Sequence, residues 1–105
     1  MTAREFIQSL PSRVQPEAID GLATTFHFDI DGSEGGKFTV SIQDGACNVE
    51  DGLVGEARCI VSGSADNFMD VIRGKTNAMM AMLMGKVKIT NQGEMLKYAK
   101  IFGLL

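Results

Sequence analysis

The chain has 105 residues, 45% of them apolar and 22% charged, which is the size and balance of one folded domain and excludes a disordered segment. Its formal net charge of −3 argues against a general nucleic-acid binder, and its two cysteines make neither a disulfide framework nor a common zinc pattern. Cys47 and Cys59 fall at apolar positions of strand-like segments and read as small buried hydrophobes.

The charge is unevenly spread. Residues 1–72 hold twelve acidic and four basic side chains, a net of −8, and residues 73–105 hold six basic and one acidic, a net of +5. The N-terminus lacks the basic start and apolar run of a secretory signal. The longest apolar run, Ala78 to Met84, falls far short of the ~20 residues that span a bilayer. A soluble, cytoplasmic protein is expected, as one domain over residues 1–105.

Thr2-Ala3-Arg4-Glu5 fits a capping box, with Phe6, Ile7 and Leu10 on one helical face and Pro11 ending the helix. Pro16 sits at the start of a short helical turn that Gly21 stops. From Ala23 the period becomes two: Phe26, Phe28 and Ile30 alternate with Thr25, His27 and Asp29. A turn at residues 31–36 leads to Phe38, Val40 and Ile42, alternating with Thr39, Ser41 and Gln43. Asp44-Gly45 is a hairpin signal that leads to Cys47 and Val49, and a further loop precedes Ala57, Cys59 and Val61. Four such runs predict an antiparallel sheet with one wet face, on which His27 is solvent-facing.

At Ser64 the period returns to that of a helix, with Phe68, Val71 and Ile72 on one face and Gly74 at the end. Thr76 is a candidate cap for the next helix, which Gly85 ends. Lys86 to Thr90 alternates as a short strand, and a last helix from about Glu94 carries Met95, Tyr98, Ala99 and Phe102, with Lys97 and Lys100 facing away.

The stretch Ala78-Met79-Met80-Ala81-Met82-Leu83-Met84 is apolar on every helical face, whereas a surface helix keeps one polar side. It therefore needs cover on more than one side. Methionine is flexible and polarizable and suits adaptable apolar surfaces. A buried core helix, the lining of a ligand cavity and a dimer interface all satisfy that requirement.

The ordered set of Phe68 through Gly74-Lys75, Ala78 to Met84, Gly85-Lys86-Val87-Lys88-Ile89 and a lysine-bearing helix resembles the type-two sterol carrier protein domain family. The earlier Phe26-His27-Phe28-Asp29-Ile30 and Phe38-Thr39-Val40-Ser41-Ile42 fit it too, so the resemblance covers nearly the whole chain. It implies an α+β fold: a curved five-stranded mixed, mainly antiparallel sheet with helices packed on one face. An apolar tunnel for a sterol, fatty acid, fatty acyl-CoA or phospholipid would lie between the two. By resemblance the tunnel is lined at Phe68, Ile72, Met80, Leu83, Met84, Leu96, Ala99 and Phe102. Many members carry a tryptophan where this chain has Phe38, and eukaryotic carriers often end in a peroxisomal tripeptide where this chain reads Gly103-Leu104-Leu105.

No nucleophile–base–acid set stands out, and His27 has no identifiable partners for base or metal work. Asp29, Asp31, Asp44, Glu50 and Asp51 lie at turns with no calcium-loop spacing, and Gly32 to Lys37 lacks the phosphate-loop pattern. The expectation is a non-catalytic carrier with no cofactor, no metal and no nucleic-acid partner, acting as a monomer or weak dimer. Lys75, Lys86 and Lys88, with Arg73, bracket the methionine helix and are candidates for contact with an anionic head group or membrane surface. Two alternatives stay open: an interaction or dimerisation module built on the methionine helix and Leu104-Leu105, and an accessory domain that presents an acyl substrate to an enzyme.

Overall fold

The Thr2–Glu5 capping box starts the chain as expected: the Thr2 amide donates to Glu5 Oε1 at 2.8 Å and the Glu5 amide to Thr2 Oγ1 at 3.1 Å. Both groups belong to a computed structural model that describes residues 1–103. Helix α1 (Ala3–Gln8) buries Ala3, Phe6 and Ile7. Pro11 does not end the helical region. The chain breaks at Ser9, and Pro11 is the second residue of α2 (Leu10–Arg13), where an N–H has no partner within the helix and its absence costs little. A single 3₁₀ turn, Pro16–Ile19, then buries Ile19.

Strands β1 (Thr24–Asp31), β2 (Gly36–Gln43), β3 (Ala46–Asp51), β4 (Cys59–Ser64) and β5 (Val87–Ile89) form one sheet in the order β3-β2-β1-β4-β5. β1 and β4 are parallel and every other neighbour pair is antiparallel. The register sets like beside like. Phe28 stands next to Phe38 and Val61, Phe26 next to Val40 and Cys59, and Val61 next to Ile89. One face of the sheet is therefore continuously apolar.

To pass from β3 on one side of β1 to β4 on the other, the chain crosses the opposite face of the sheet. This crossover covers part of the face expected to be wet. Val54 N donates to Thr39 Oγ1 at 2.8 Å, Thr39 Oγ1 donates to Gly52 O at 2.7 Å, and Arg58 N donates to Thr25 O at 2.8 Å. His27 corrects the sequence reading: it does point away from Phe26 and Phe28, yet it is only 6% exposed, and its Nε2 lies 3.0 Å from Val54 O. Alternation assigns a face but does not reveal what a loop later lays over it.

Helices α3 (Ala65–Ile72), α4 (Ala78–Leu83) and α5 (Gln92–Phe102) join α1 on the apolar face. Ser64 caps α3, its hydroxyl accepting from Asn67 N at 3.1 Å. Asn77, not Thr76, caps α4, and Asn91 caps α5, which therefore starts at Gln92 and not near Glu94. Beneath the helices an aromatic cluster ties the layers together. Phe68 packs edge-on against Phe6 and Phe28, with centroids 6.1 and 6.0 Å apart, and Phe102 against Phe26 at 5.1 Å. The fold is α+β, a five-stranded mixed and mainly antiparallel sheet with helices on one face. The Leu104-Leu105 tail named as a docking element lies outside the described residues.

Candidate functional site

Towards its β4–β5 edge the layered core stops short of close packing. Val61 of β4 and Val87 and Ile89 of β5 form the floor of a cavity of about 270 Å³. Phe68 and Val71 of α3 wall one side, Ala78, Met79 and Met82 of α4 another, and Met95, Leu96 and Ala99 of α5 a third. Each element supplies these groups through its own period. β5 turns Val87 and Ile89 inward by alternation, α4 presents Ala78 and Met82 four residues apart, and α5 does the same with Met95 and Ala99.

No lining side chain is charged, and Asn77 and Gln92 are the two polar ones. The Asn77 carboxamide oxygen is already engaged, accepting from Met79 N at 2.8 Å and Met80 N at 3.4 Å. Water in this space finds few partners, and a ligand that presents apolar surface is favoured by roughly 25 cal/mol for each Å² withdrawn from water. The lining side chains of Met79, Gln92 and Leu96 are themselves exposed, which marks the opening between α4 and the start of α5.

Of the eight candidate lining residues, Phe68, Leu96 and Ala99 stand on this wall. Ile72 is half-buried against the core, and Phe102 is 1% exposed within the aromatic cluster. Met80, Leu83 and Met84 turn away from the cavity and are 51%, 76% and 59% exposed. Double cover of α4, expected from its all-round apolarity, is thus not what the described residues show: Ala81 is its one buried residue, at 1% exposure. The lining groups missed from the sequence include Val61, Val71, Met79, Met82, Val87, Ile89 and Met95. The alternation at Val87 and Ile89 and the four-residue spacing of Met95 and Ala99 carried that signal.

Lys75 is exposed in the link between α3 and α4, and Lys86 is exposed immediately after α4. Lys88 sits between Val87 and Ile89, so alternation sends it to the other side of the sheet. None of the three lines the cavity.

Reactive chemistry has little to work with. Burial pushes the Cys47 thiol up to about 11 and raises that of Cys59, so both are poor nucleophiles near neutral pH. Burial also raises the Tyr98 phenol, whose hydroxyl is enclosed without a hydrogen-bond partner among the described residues and lies off the cavity wall. Among the described residues, no three His, Cys, Asp or Glu side chains gather as a metal site, and no helix is long and apolar enough to cross a membrane.

Comparison with known proteins places this geometry. Hydroxysteroid dehydrogenase-like protein 2 of Xenopus tropicalis is 28% identical over 102 residues, which cover 95% of this chain and 24% of that protein. The chain therefore spans about a quarter of the curated relative that it matches. Among solved structures, the stereoselective inverting sec-alkylsulfatase Pisa1 from Pseudomonas sp. superposes with a TM-score of 0.72 at 20% identity, over 91% of this chain and 15% of that one. Sterol Carrier Protein 2 Like 2 from Aedes aegypti matches along nearly its whole length. Its crystal structure gives a TM-score of 0.71 at 15% identity, over 97% of this chain and 94% of that one. Its palmitated solution structure gives 0.69 at 19%, over 97% and 95%. The family model of the SCP-2 sterol transfer family matches residues 4–105, and the chain belongs to that family.

Proposed function

We propose that this chain binds the apolar part of a lipid, whether fatty acid, fatty acyl-CoA, phospholipid or sterol, in the cavity between β4–β5 and helices α3, α4 and α5, and carries it without covalent change. The observation that carries this reading is a lining free of charged groups that opens beside exposed methionine and leucine side chains. Family membership supports it, as does the palmitated form of the Aedes aegypti relative. With two amides as the polar lining groups, discrimination rests on the length and shape of the apolar part more than on its head group.

A second reading has a specific observation in its favour. The segment similar in sequence makes up 24% of a hydroxysteroid dehydrogenase-like protein, and the segment similar in fold makes up 15% of a sulfatase chain. On that reading the cavity holds an apolar substrate for a partner enzyme, and the binding step is the same.

Native mass spectrometry of the purified protein, followed by organic extraction, tests the shared step. Excess mass released as a lipid supports binding and identifies its class. A clean apo chain that also fails to bind a fluorescent fatty acid ends the reading. Ala99→Phe places a ring in the cavity that a ligand would then have to share, and an overpacking cost of about 1–3 kcal/mol in the loaded state predicts roughly tenfold weaker fatty-acid binding by a chain that still folds.

A further inference from the structure

Most of the large apolar side chains exposed among the described residues lie on α4, its cap and α5, the elements that border the opening of the cavity. Among the described residues nine are exposed, and five of them are Met79, Met80, Leu83, Met84 and Leu96, from α4, its cap and α5. A gathered apolar patch of this kind marks an interaction surface. The segments that carry it are mostly basic. Residues 73–103 carry six basic side chains and one acid, Glu94, and the Glu94 carboxylate is taken up by the Thr24 hydroxyl at 2.5 Å. Lys75 and Lys86 flank α4 on either side, and Lys97 and Lys100 lie beside Leu96 on the exposed side of α5. The rest of the chain is strongly acidic.

We infer that the outer face of α4, together with Leu96 and the surrounding lysines, docks onto an anionic lipid bilayer. The apolar side chains enter the interfacial layer and the lysines meet the head groups, the arrangement by which short amphipathic helices lie in a membrane surface. The acidic remainder of the protein is repelled, and this fixes the orientation. A second copy of the chain is the poorer occupant, because a twofold contact would set this cationic patch against itself. The placement also explains why α4 presents Ala78 and Met82 inward and Met80, Leu83 and Met84 outward. Docking seats the cavity's opening on the phase that supplies or receives its ligand, a consequence that rests on the function proposed above.

Flotation of the purified chain with vesicles tests the inference, alongside binding of cis-parinaric acid in vesicle-free solution. The wild-type chain is expected to float with phosphatidylcholine vesicles containing phosphatidylserine, to float poorly with phosphatidylcholine alone, and to be released by salt. Leu83→Gln with Met84→Gln, and separately Lys75→Gln with Lys86→Gln, should each lower flotation at least about tenfold while leaving cis-parinaric acid binding unchanged, since none of the four side chains lines the cavity. Absence of wild-type flotation on anionic vesicles, or equal flotation of all three proteins, overturns the docking surface. So does a concentration-dependent dimer that Leu83→Gln abolishes. Loss of cis-parinaric acid binding with flotation intact would instead remove the cavity's proposed function and leave the docking surface standing.

Discussion

Thr39 shows how one side chain stabilises a crossing. Its hydroxyl donates to Gly52 O and accepts from Val54 N, and the Val54 carbonyl in turn meets His27 Nε2. All of this lies on the sheet face away from the helices, with Thr39 only 2% exposed. Thr39→Val keeps the shape of the side chain and removes both bonds, leaving an amide and a carbonyl under the loop without partners. The expected loss is about 1–3 kcal/mol in chemical denaturation, with the cavity and ligand binding unaffected. A variant as stable as the wild type would show that water replaces both bonds and that the remaining contacts of the crossover, His27 Nε2 with Val54 O and Arg58 N with Thr25 O, suffice to hold it.

Among the elements that wall the cavity, α4 is the shortest helix and the least buried. It has six residues and buries one of them, yet it forms a wall of the cavity. A helix this short depends on its cap and its packing, because nucleation costs more than a few hydrogen bonds return. Asn77→Ala removes the cap and should cost about 0.5–2 kcal/mol locally. Hydrogen exchange would then accelerate at the amides of α4 more than in β1 or β2, and bound ligand should dissociate faster. Uniform acceleration across the sheet would mean that α4 unfolds only together with the whole domain. The strands were legible in the sequence because Phe26, Phe28, Phe38 and Val40 alternate against polar neighbours and one face is buried. α4 was legible as a helix but not in its orientation. Seven apolar residues in a row carry no amphipathic phase, so nothing in them separates Met82, which lines the cavity, from Leu83, which reaches solvent. The floor was hidden for another reason: Val61, Val87 and Ile89 look like ordinary core strand residues, and only the gap left by the helices above turns them into cavity lining.

For the whole molecule, the cavity makes stability a function of cargo. An apolar space of about 270 Å³ leaves its lining without the dispersion contacts that a filled core has, and the domain is small enough for that to matter. A ligand that fills the space binds only the folded chain and stabilises it by mass action, about 2.7 kcal/mol when free ligand stands at a hundred times its dissociation constant. In a domain of this size each kcal/mol moves the melting temperature by roughly 4–8 °C, so adding back ligand after delipidation should raise Tm on the order of 10 °C. Scanning calorimetry on the delipidated chain, with and without the extracted species, checks this. The gain should shrink in Ala99→Phe, in which the ring already occupies the space, and that variant without ligand should lie closer to the loaded wild type than any substitution outside the cavity brings it. If the ligand raises Tm equally in both proteins, it binds elsewhere, and the space between β4–β5 and the three helices is not its site.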